Sequence, residues 1–317
     1  MIRIGLVGAG KMAFPHVRAI QNHEDCELVA VADIVEENAL AVTKGTDVAI
    51  FKDYHDMCKE CELDAVIINL PHFLHCEATC FFLENGVNVL VEKPMAINVE
   101  ECDKMIAAAR ENNVMLAVGH VQQYASPHKY LKEIIKSKKY GELLRVTETR
   151  NANYFVNRSA WFLDKKLAGG GILMNLGAHT LDKVMYVTDS KLEAACAVCK
   201  NTVNDYTIEE GAQVLAKFSC GASAVFSFTG TTGPSLYETY YCFEKSIVKV
   251  VAGIVLFEFD EEKNDWVEIA RDDSNRLHEG AIEEFVKLLK GEPSEVTTPE
   301  FGRDVIEGLT MIYNSQL

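Results

Sequence analysis

Apolar residues in the first 120 positions fall into short runs separated by longer stretches with helical spacing. The runs at 4–7, 28–32, 47–51, 65–68, 87–91 and 114–118 read as strands, and 11–21, 36–42, 53–61, 76–84 and 99–111 read as helices. Gly86 stands where a C-cap glycine would stop the 76–84 helix. In the run at 87–91, Val87, Val89, Leu90 and Val91 surround a single Asn88, the pattern of a strand buried on both faces. Strands alternating with helices predict a parallel, doubly wound α/β sheet.

The pattern changes after the segment 119–124. Helices are expected at 127–137, 172–187, 278–289 and 301–314. Strands are expected from 143 to 149 and at 193–198, 212–218, 222–229, 238–243, 246–251, 254–259 and 266–269. Short turns such as Ser219-Cys220-Gly221 join several of them and suggest antiparallel hairpins. The second part is therefore expected to be an α+β domain with a large, mainly antiparallel, open-faced sheet. With no long Gly/Ser linker, the division is placed at 1–121 and 122–317.

Composition narrows the class. The chain has 317 residues, 48% hydrophobic and 25% charged, which suits two soluble globular domains. No apolar run approaches the roughly 18 residues of a membrane span. Met1-Ile2-Arg3-Ile4-Gly5 enters a strand without a signal-peptide pattern, so a cytoplasmic protein is the default. Lys and Arg number 31 against 47 Asp and Glu, a net charge of −16, which argues against nucleic acid or an anionic membrane as partner. The ten cysteines, Cys58/Cys61, Cys196/Cys199 and Cys76/Cys80 among them, read as scattered reduced thiols. No metal site is expected.

Candidate chemistry lies at the strand ends. Gly8-Ala9-Gly10-Lys11-Met12-Ala13 follows the first strand and opens the first helix, the G-x-G-x-x-A context for a dinucleotide pyrophosphate. Gly8 permits the turn, Gly10 lets the backbone approach the phosphates, and Ala13 allows close helix–strand packing. Asp33 ends the second strand, 20 residues after Ala13, where a carboxylate suits a ribose 2′-hydroxyl and repels a 2′-phosphate. No Lys or Arg follows in Ile34-Val35-Glu36-Glu37, so NAD is favoured over NADP. The backbone of Asn69-Leu70-Pro71-His72 should lie against the cofactor; His75 either reaches the nicotinamide side or starts the next helix. Glu92-Lys93-Pro94 ends the buried strand at 87–91, at the edge where open parallel sheets bind ligands. Further on, Gly169-Gly170-Gly171 lets the backbone pass close to something bulky. Asn175 and His179, four apart, then share a helical face, and Asp182 is near enough to orient His179. That histidine is either a general acid/base or a satisfied core residue.

Taken in this order, these motifs, with Gly119-His120, Arg158-Ser159-Ala160-Trp161-Phe162-Leu163-Asp164 and the final helix to Tyr313, resemble the glucose–fructose oxidoreductase/inositol dehydrogenase (Gfo/Idh/MocA) family over nearly the whole chain. The resemblance implies a Rossmann domain followed by a sheet domain whose open face builds homodimers or homotetramers. It implies NAD(P)-linked redox chemistry at a sugar or cyclitol carbon, with Lys93 holding the reacting oxygen and His179 exchanging the proton. Lys93, Tyr154, Arg158, Trp161, Asn175 and His179 are the expected substrate contacts; Tyr240 is a further pocket candidate, and Arg158 could instead pair with Asp164. Two alternatives remain: an NAD-retaining glycoside hydrolase working by oxidation and elimination, and a non-catalytic cofactor-binding regulator. The chain departs from the family pattern at Asn175, where Asp is common, at Leu70 and His72, where Thr and Asn are common, and at Gln123, where Arg is frequent.

Overall fold

A computed structural model of the protein describes residues 1–201, 206–230, 234–274 and 276–317. The chain divides into two compact units, Met1–Val121 with Arg276–Arg303, and Gln122–Asn275 with Asp304–Leu317.

The first unit begins with β1 (Ile2–Val7), α1 (Ala13–Gln21), β2 (Cys26–Ala32), α2 (Glu36–Val42) and β3 (Ala49–Phe51). It continues with α3 (Tyr54–Glu60), β4 (Ala65–Ile68), α4 (His75–Glu84), β5 (Asn88–Glu92), α5 (Val99–Glu111) and β6 (Leu116–Gly119). The six strands are all parallel, in the order β3-β2-β1-β4-β5-β6. The order reverses between β1 and β4, so the ligand crevice of such a sheet opens beyond the carboxyl ends of these strands. The apolar runs are explained by two-sided burial: every residue of β4 and both Val89 and Val91 are fully buried. Each such aliphatic side chain contributes about 1.5–3 kcal/mol. Helix starts are fixed locally, as where the Asn98 side chain accepts the Glu101 N–H at 2.8 Å ahead of α5. Helix α1 begins at Ala13 rather than Lys11 because the preceding residues are consumed in the turn.

The second unit contains α6 (Ser126–Lys136), β7 (Leu143–Asn151), α7 (Lys165–Ala168), a π-helical turn at Leu173–Gly177 and α8 (Ala178–Thr188). Seven strands follow: β8 (Leu192–Lys200), β9 (Gly211–Phe218), β10 (Ser223–Thr229), β11 (Leu236–Phe243), β12 (Ile247–Val251), β13 (Val255–Asp260) and β14 (Asp265–Arg271). They form one sheet with β7, in the order β14-β13-β12-β11-β7-β10-β9-β8, antiparallel except for the β7–β10 pair. Burial alternates along it: Ala212, Val214, Ala216 and Phe218 of β9 are buried, while Gln213, Leu215 and Lys217 between them are exposed. Helix α8 packs on the buried face through Thr180 and Lys183, which bond Glu148 of β7.

The chain ends with α9 (Leu277–Leu289) and α10 (Pro299–Asn314). Helix α9 follows the second sheet in the chain. It returns to the first unit, where Ile282, Phe285 and Val286 join a core with Val17 and Ile20 of α1. The apolar side of α1 that faces away from the sheet requires this cover. All ten cysteines are free thiols. Among the described residues no helix is long and apolar enough to cross a membrane.

Candidate active site

The glycine turn after β1 is built by close backbone approach. Gly8 has φ +93°, and a Cβ there would come within 2.5 Å of the Asn69 carbonyl oxygen. Asn69 reinforces the contact, its backbone N–H donating to Val7 at 2.7 Å and its amide to the Gly8 carbonyl at 3.3 Å. Gly10 is different: nothing lies within 4 Å of its would-be Cβ, so its face is open. Lys11 and Met12 are exposed, and Ala13 is fully buried under the helix start. Asp33 closes the turn from the side, one oxygen accepting the Ala9 N–H at 2.7 Å and the other the Val35 N–H at 2.8 Å. Ile34 beside it is 79% exposed. An open glycine at a helix N-terminus, flanked by a carboxylate and no cation in 34–37, fits NAD.

The end of β5 is held from three sides. Glu92 is buried, with Oε1 2.7 Å from His16 Nε2 and Oε2 accepting the Lys93 N–H at 3.0 Å. His278 Nε2 lies 3.9 Å from the same Oε1, its ring edge-on to His16 at 4.8 Å. Burial alone would raise the Glu92 pKa, but the His16 bond, with His16, His278 and Lys93 nearby, holds it down to about 2. These two histidines and Glu92 are also the one grouping of potential metal ligands among the described residues. Sequence reasoning missed His16 and His278; His16, three residues after Ala13 on the inner side of α1, was the available signal. The Lys93–Pro94 peptide is cis. His75, the first residue of α4, braces the turn: Nδ1 lies 2.9 Å from the Pro94 carbonyl and Nε2 2.8 Å from that of Leu70. A neutral ring can donate to only one of these at a time. Burial pushes the His75 pKa down against the pull of those carbonyls. Pro71 and Leu70 are half-buried and His72 is buried.

In the second unit the glycine run has an internal explanation. A Cβ on Gly170 would overlap the Tyr313 hydroxyl, and one on Gly171 the backbone of Glu209. Glu209 Oε1 accepts from Gly171 N at 2.9 Å, Leu173 N at 3.0 Å and the Tyr313 hydroxyl at 2.7 Å. The bulky neighbour read from the glycines is thus the protein's own. Asn175 lies in the π-helical turn, where bonds run i→i+5, so the four-residue spacing to His179 does not give the α-helical register expected. Asn175 is buried and His179 half-buried. Asp182 is buried and accepts the Gln123 amide at 2.9 Å.

Tyr154 is fully buried, its hydroxyl donating to the Gly171 carbonyl at 3.0 Å. Arg158 donates to the Tyr154 carbonyl at 2.8 Å and stacks over the rings of Tyr154 (4.6 Å) and Phe162 (4.8 Å). Trp161 is half-buried against Phe162, 4.5 Å between centroids. Asp164 caps α7 by accepting the Lys166 N–H at 2.9 Å, and no Arg158–Asp164 pair is found among the described residues. Tyr240 bonds Glu238 and packs on Trp266, on the face opposite Glu148. Tyr237, three residues earlier, points to the helix side and receives a bond from Lys183. Sequence reasoning missed Tyr237; strand parity, which puts it opposite Tyr240, was the signal.

Among the curated relatives, the chain is 30% identical to a 1-carboxy-3-chloro-3,4-dihydroxycyclohexa-1,5-diene dehydrogenase of Comamonas testosteroni, over 72% of this chain and 58% of that protein. It is 31% identical to the glucose-6-phosphate 3-dehydrogenase of Bacillus subtilis, over 66% of this chain and 60% of that protein. The chain thus matches less than two thirds of the length of these two relatives. The solved WlbA dehydrogenase from Bordetella pertussis, in complex with NADH and UDP-GlcNAcA, has the same fold: TM-score 0.86 at 24% identity, covering 99% of this chain and 96% of that one. The family model described as an oxidoreductase family with an NAD-binding Rossmann fold matches residues 2–120. Its companion, the GFO/IDH/MocA C-terminal domain, matches residues 128–242. With an NAD-binding Rossmann sheet, a strand-end Glu92-Lys93-Pro94 turn and a mainly antiparallel second sheet in that order, the chain belongs to the Gfo/Idh/MocA oxidoreductase family.

Proposed function

We propose that this protein is an oxidoreductase that interconverts a secondary hydroxyl and a keto carbon on a sugar, sugar derivative or cyclitol. NAD, when bound, accepts or returns the hydride. The observation that carries the reading is the fixed strand end: Glu92 and His75 tie down the backbone on both sides of Lys93, at the carboxyl edge of an NAD-binding sheet. An ammonium held there can stabilise charge on the reacting oxygen. His179 takes the hydroxyl proton in the oxidation and returns it in the reduction. Asn175 cannot exchange a proton, so its part is to hold a substrate oxygen by hydrogen bonding.

The sugar-type substrate is supported by the name of the Bacillus relative, glucose-6-phosphate 3-dehydrogenase. The same reading puts a second copy of the chain on the open face of the second sheet, where Leu215 and Val225 are 59% and 41% exposed. The decisive experiment is Lys93→Met. It should keep NAD affinity within about threefold and lower turnover on the active sugar or polyol by a factor on the order of 10²–10⁴. Undiminished turnover removes Lys93 from the mechanism.

A further inference from the structure

The second unit contains a charged cluster that does not close on itself. On β7, Glu148 and Arg150 project to the helix-covered face, and β11 sets Thr239 directly opposite Glu148 and Tyr237 opposite Arg150. Helix α8 adds Thr180 and Lys183. Glu148 is fully engaged: Oε1 accepts from Thr180, and Oε2 accepts from Lys183 at 2.8 Å and Thr239 at 2.7 Å. Lys183 also donates to the Tyr237 hydroxyl, which leaves that hydroxyl's own proton directed elsewhere; Gln122 Oε1 is 3.5 Å away, beyond a good bond.

Arg150 is left over. Its guanidinium carbon sits 4.3 Å from the Tyr237 ring centroid, with the Lys183 ammonium 4.4 Å from the same centroid. Its Nη1 is buried with no hydrogen-bond partner, and no ion pair to it is found among the described residues. Lys183 and Arg150 against Glu148 give a net charge of +1. A buried N–H donor of a cation left without an acceptor is costly. Lys183 lies one helical turn after His179, on the same side of α8.

We propose that Arg150, Lys183 and Tyr237 receive an anionic group of the substrate, a carboxylate or a phosphate carried on the sugar within about one helical turn of the reacting carbon. This rests on the reading of His179 as a group that meets substrate. Arg150 supplies the paired N–H donors suited to a carboxylate or phosphate, and the Tyr237 hydroxyl donates a third bond. Neither relies on Asn175, so the cluster adds specificity without altering the proton chemistry.

The test is calorimetric titration of the NAD-saturated protein with D-glucose, D-glucuronate and D-glucose 6-phosphate. At least one anionic sugar should bind tenfold or more tightly than D-glucose, glucuronate pointing to a carboxylate and glucose 6-phosphate to a phosphate. The preference should fall to within threefold in Arg150→Gln and be partly rescued in Arg150→Lys, with NAD affinity unchanged. Equal binding of the three sugars, no binding of any, or an undiminished preference in a folded Arg150→Gln protein overturns the proposal. If that variant fails to fold, the wild-type comparison decides alone. Hydride transfer is followed separately: anion preference without NADH formation sinks the oxidoreductase reading and spares this one, and turnover of neutral sugars with no anion preference does the reverse.

Discussion

His16 Nε2 lies 2.7 Å from Glu92 Oε1, and both side chains are buried between α1 and the end of β5. The bond links the helix that opens at the nucleotide turn to the residue before Lys93. Removing one partner of a buried pair leaves the other desolvated, a loss of about 3–5 kcal/mol. His16→Leu should therefore lower the unfolding free energy by roughly that amount in urea denaturation. It should also reduce kcat more than NAD affinity, because the Lys93 N–H bonds the same carboxylate. A loss below about 1 kcal/mol would mean that His278 takes over the role of His16.

Acid should destabilise the protein from near neutrality downward. Burial, and then the charge of His16, holds His278 down to about 4; burial, and then Lys183, does the same to His128. In the unfolded chain both titrate near 6.5. Below that value the unfolded state binds more protons than the folded one, so stability falls as pH drops from about 6.5 to about 4, by up to roughly 3 kcal/mol for each histidine. Glu92, held down to about 2, adds a second loss between its ordinary value near 4.5 and that point. Its stabilisation is present above 4.5 and fades below. Chemical denaturation at pH 7.5, 5.5 and 4.5 checks this, and His278→Phe should flatten the upper part of the curve. A flat profile down to pH 4.5 contradicts the burial argument.

The two glycines of the nucleotide turn should separate folding from binding. Gly8→Ala places a methyl against the Asn69 carbonyl at a positive φ, so it should cost about 2 kcal/mol or more of stability together with NAD affinity. Gly10→Ala meets nothing within the protein, so its melting temperature should stay within about 2 °C of wild type. NAD affinity should nonetheless fall at least about tenfold, since the methyl occupies the space the pyrophosphate needs. If Gly10→Ala binds NAD normally, the phosphates do not approach this face.

Much of this was legible in the chain. Two-sided burial leaves apolar runs, and these marked β4 and β5; the strand–turn–helix context of Gly8–Ala13 marked a Rossmann sheet. What was illegible depends on contacts distant in sequence. Nothing local in 277–289 says that α9 leaves its neighbours to cover α1. Nothing local tells that Gly170 and Gly171 are small because of Tyr313 and Glu209, 143 and 38 residues away by number. The π-helical turn at Asn175 is likewise invisible to a periodicity of 3.6, because the extra residue per turn is tolerated only where surrounding packing supports it. Strand alternation puts Tyr240, the pocket candidate, and Tyr237 on opposite faces, and the helix that selects the inner face comes from elsewhere in the chain.

Asp33 has both oxygens committed to backbone N–H groups, Ala9 in the glycine turn and Val35 at the start of α2. Its position is therefore fixed by the turn itself, and in the proposed reading its charge opposes a 2′-phosphate. Two unit charges about 4 Å apart at an effective dielectric of 20 repel by about 4 kcal/mol, and a phosphate carries more than one. Asp33→Asn removes that repulsion and keeps one acceptor for the turn, while its NH2 faces the other N–H and gives up that bond. The variant should bind NAD about tenfold more weakly, because a charged acceptor is lost from the ribose hydroxyls. NADP binding should improve by about tenfold or more, so the NAD/NADP ratio of kcat/KM shifts by about 10². Steady-state kinetics with both cofactors measures the ratio directly. An unchanged ratio would mean that the Asp33 carboxylate serves only the turn, and that cofactor choice is made by another part of the crevice.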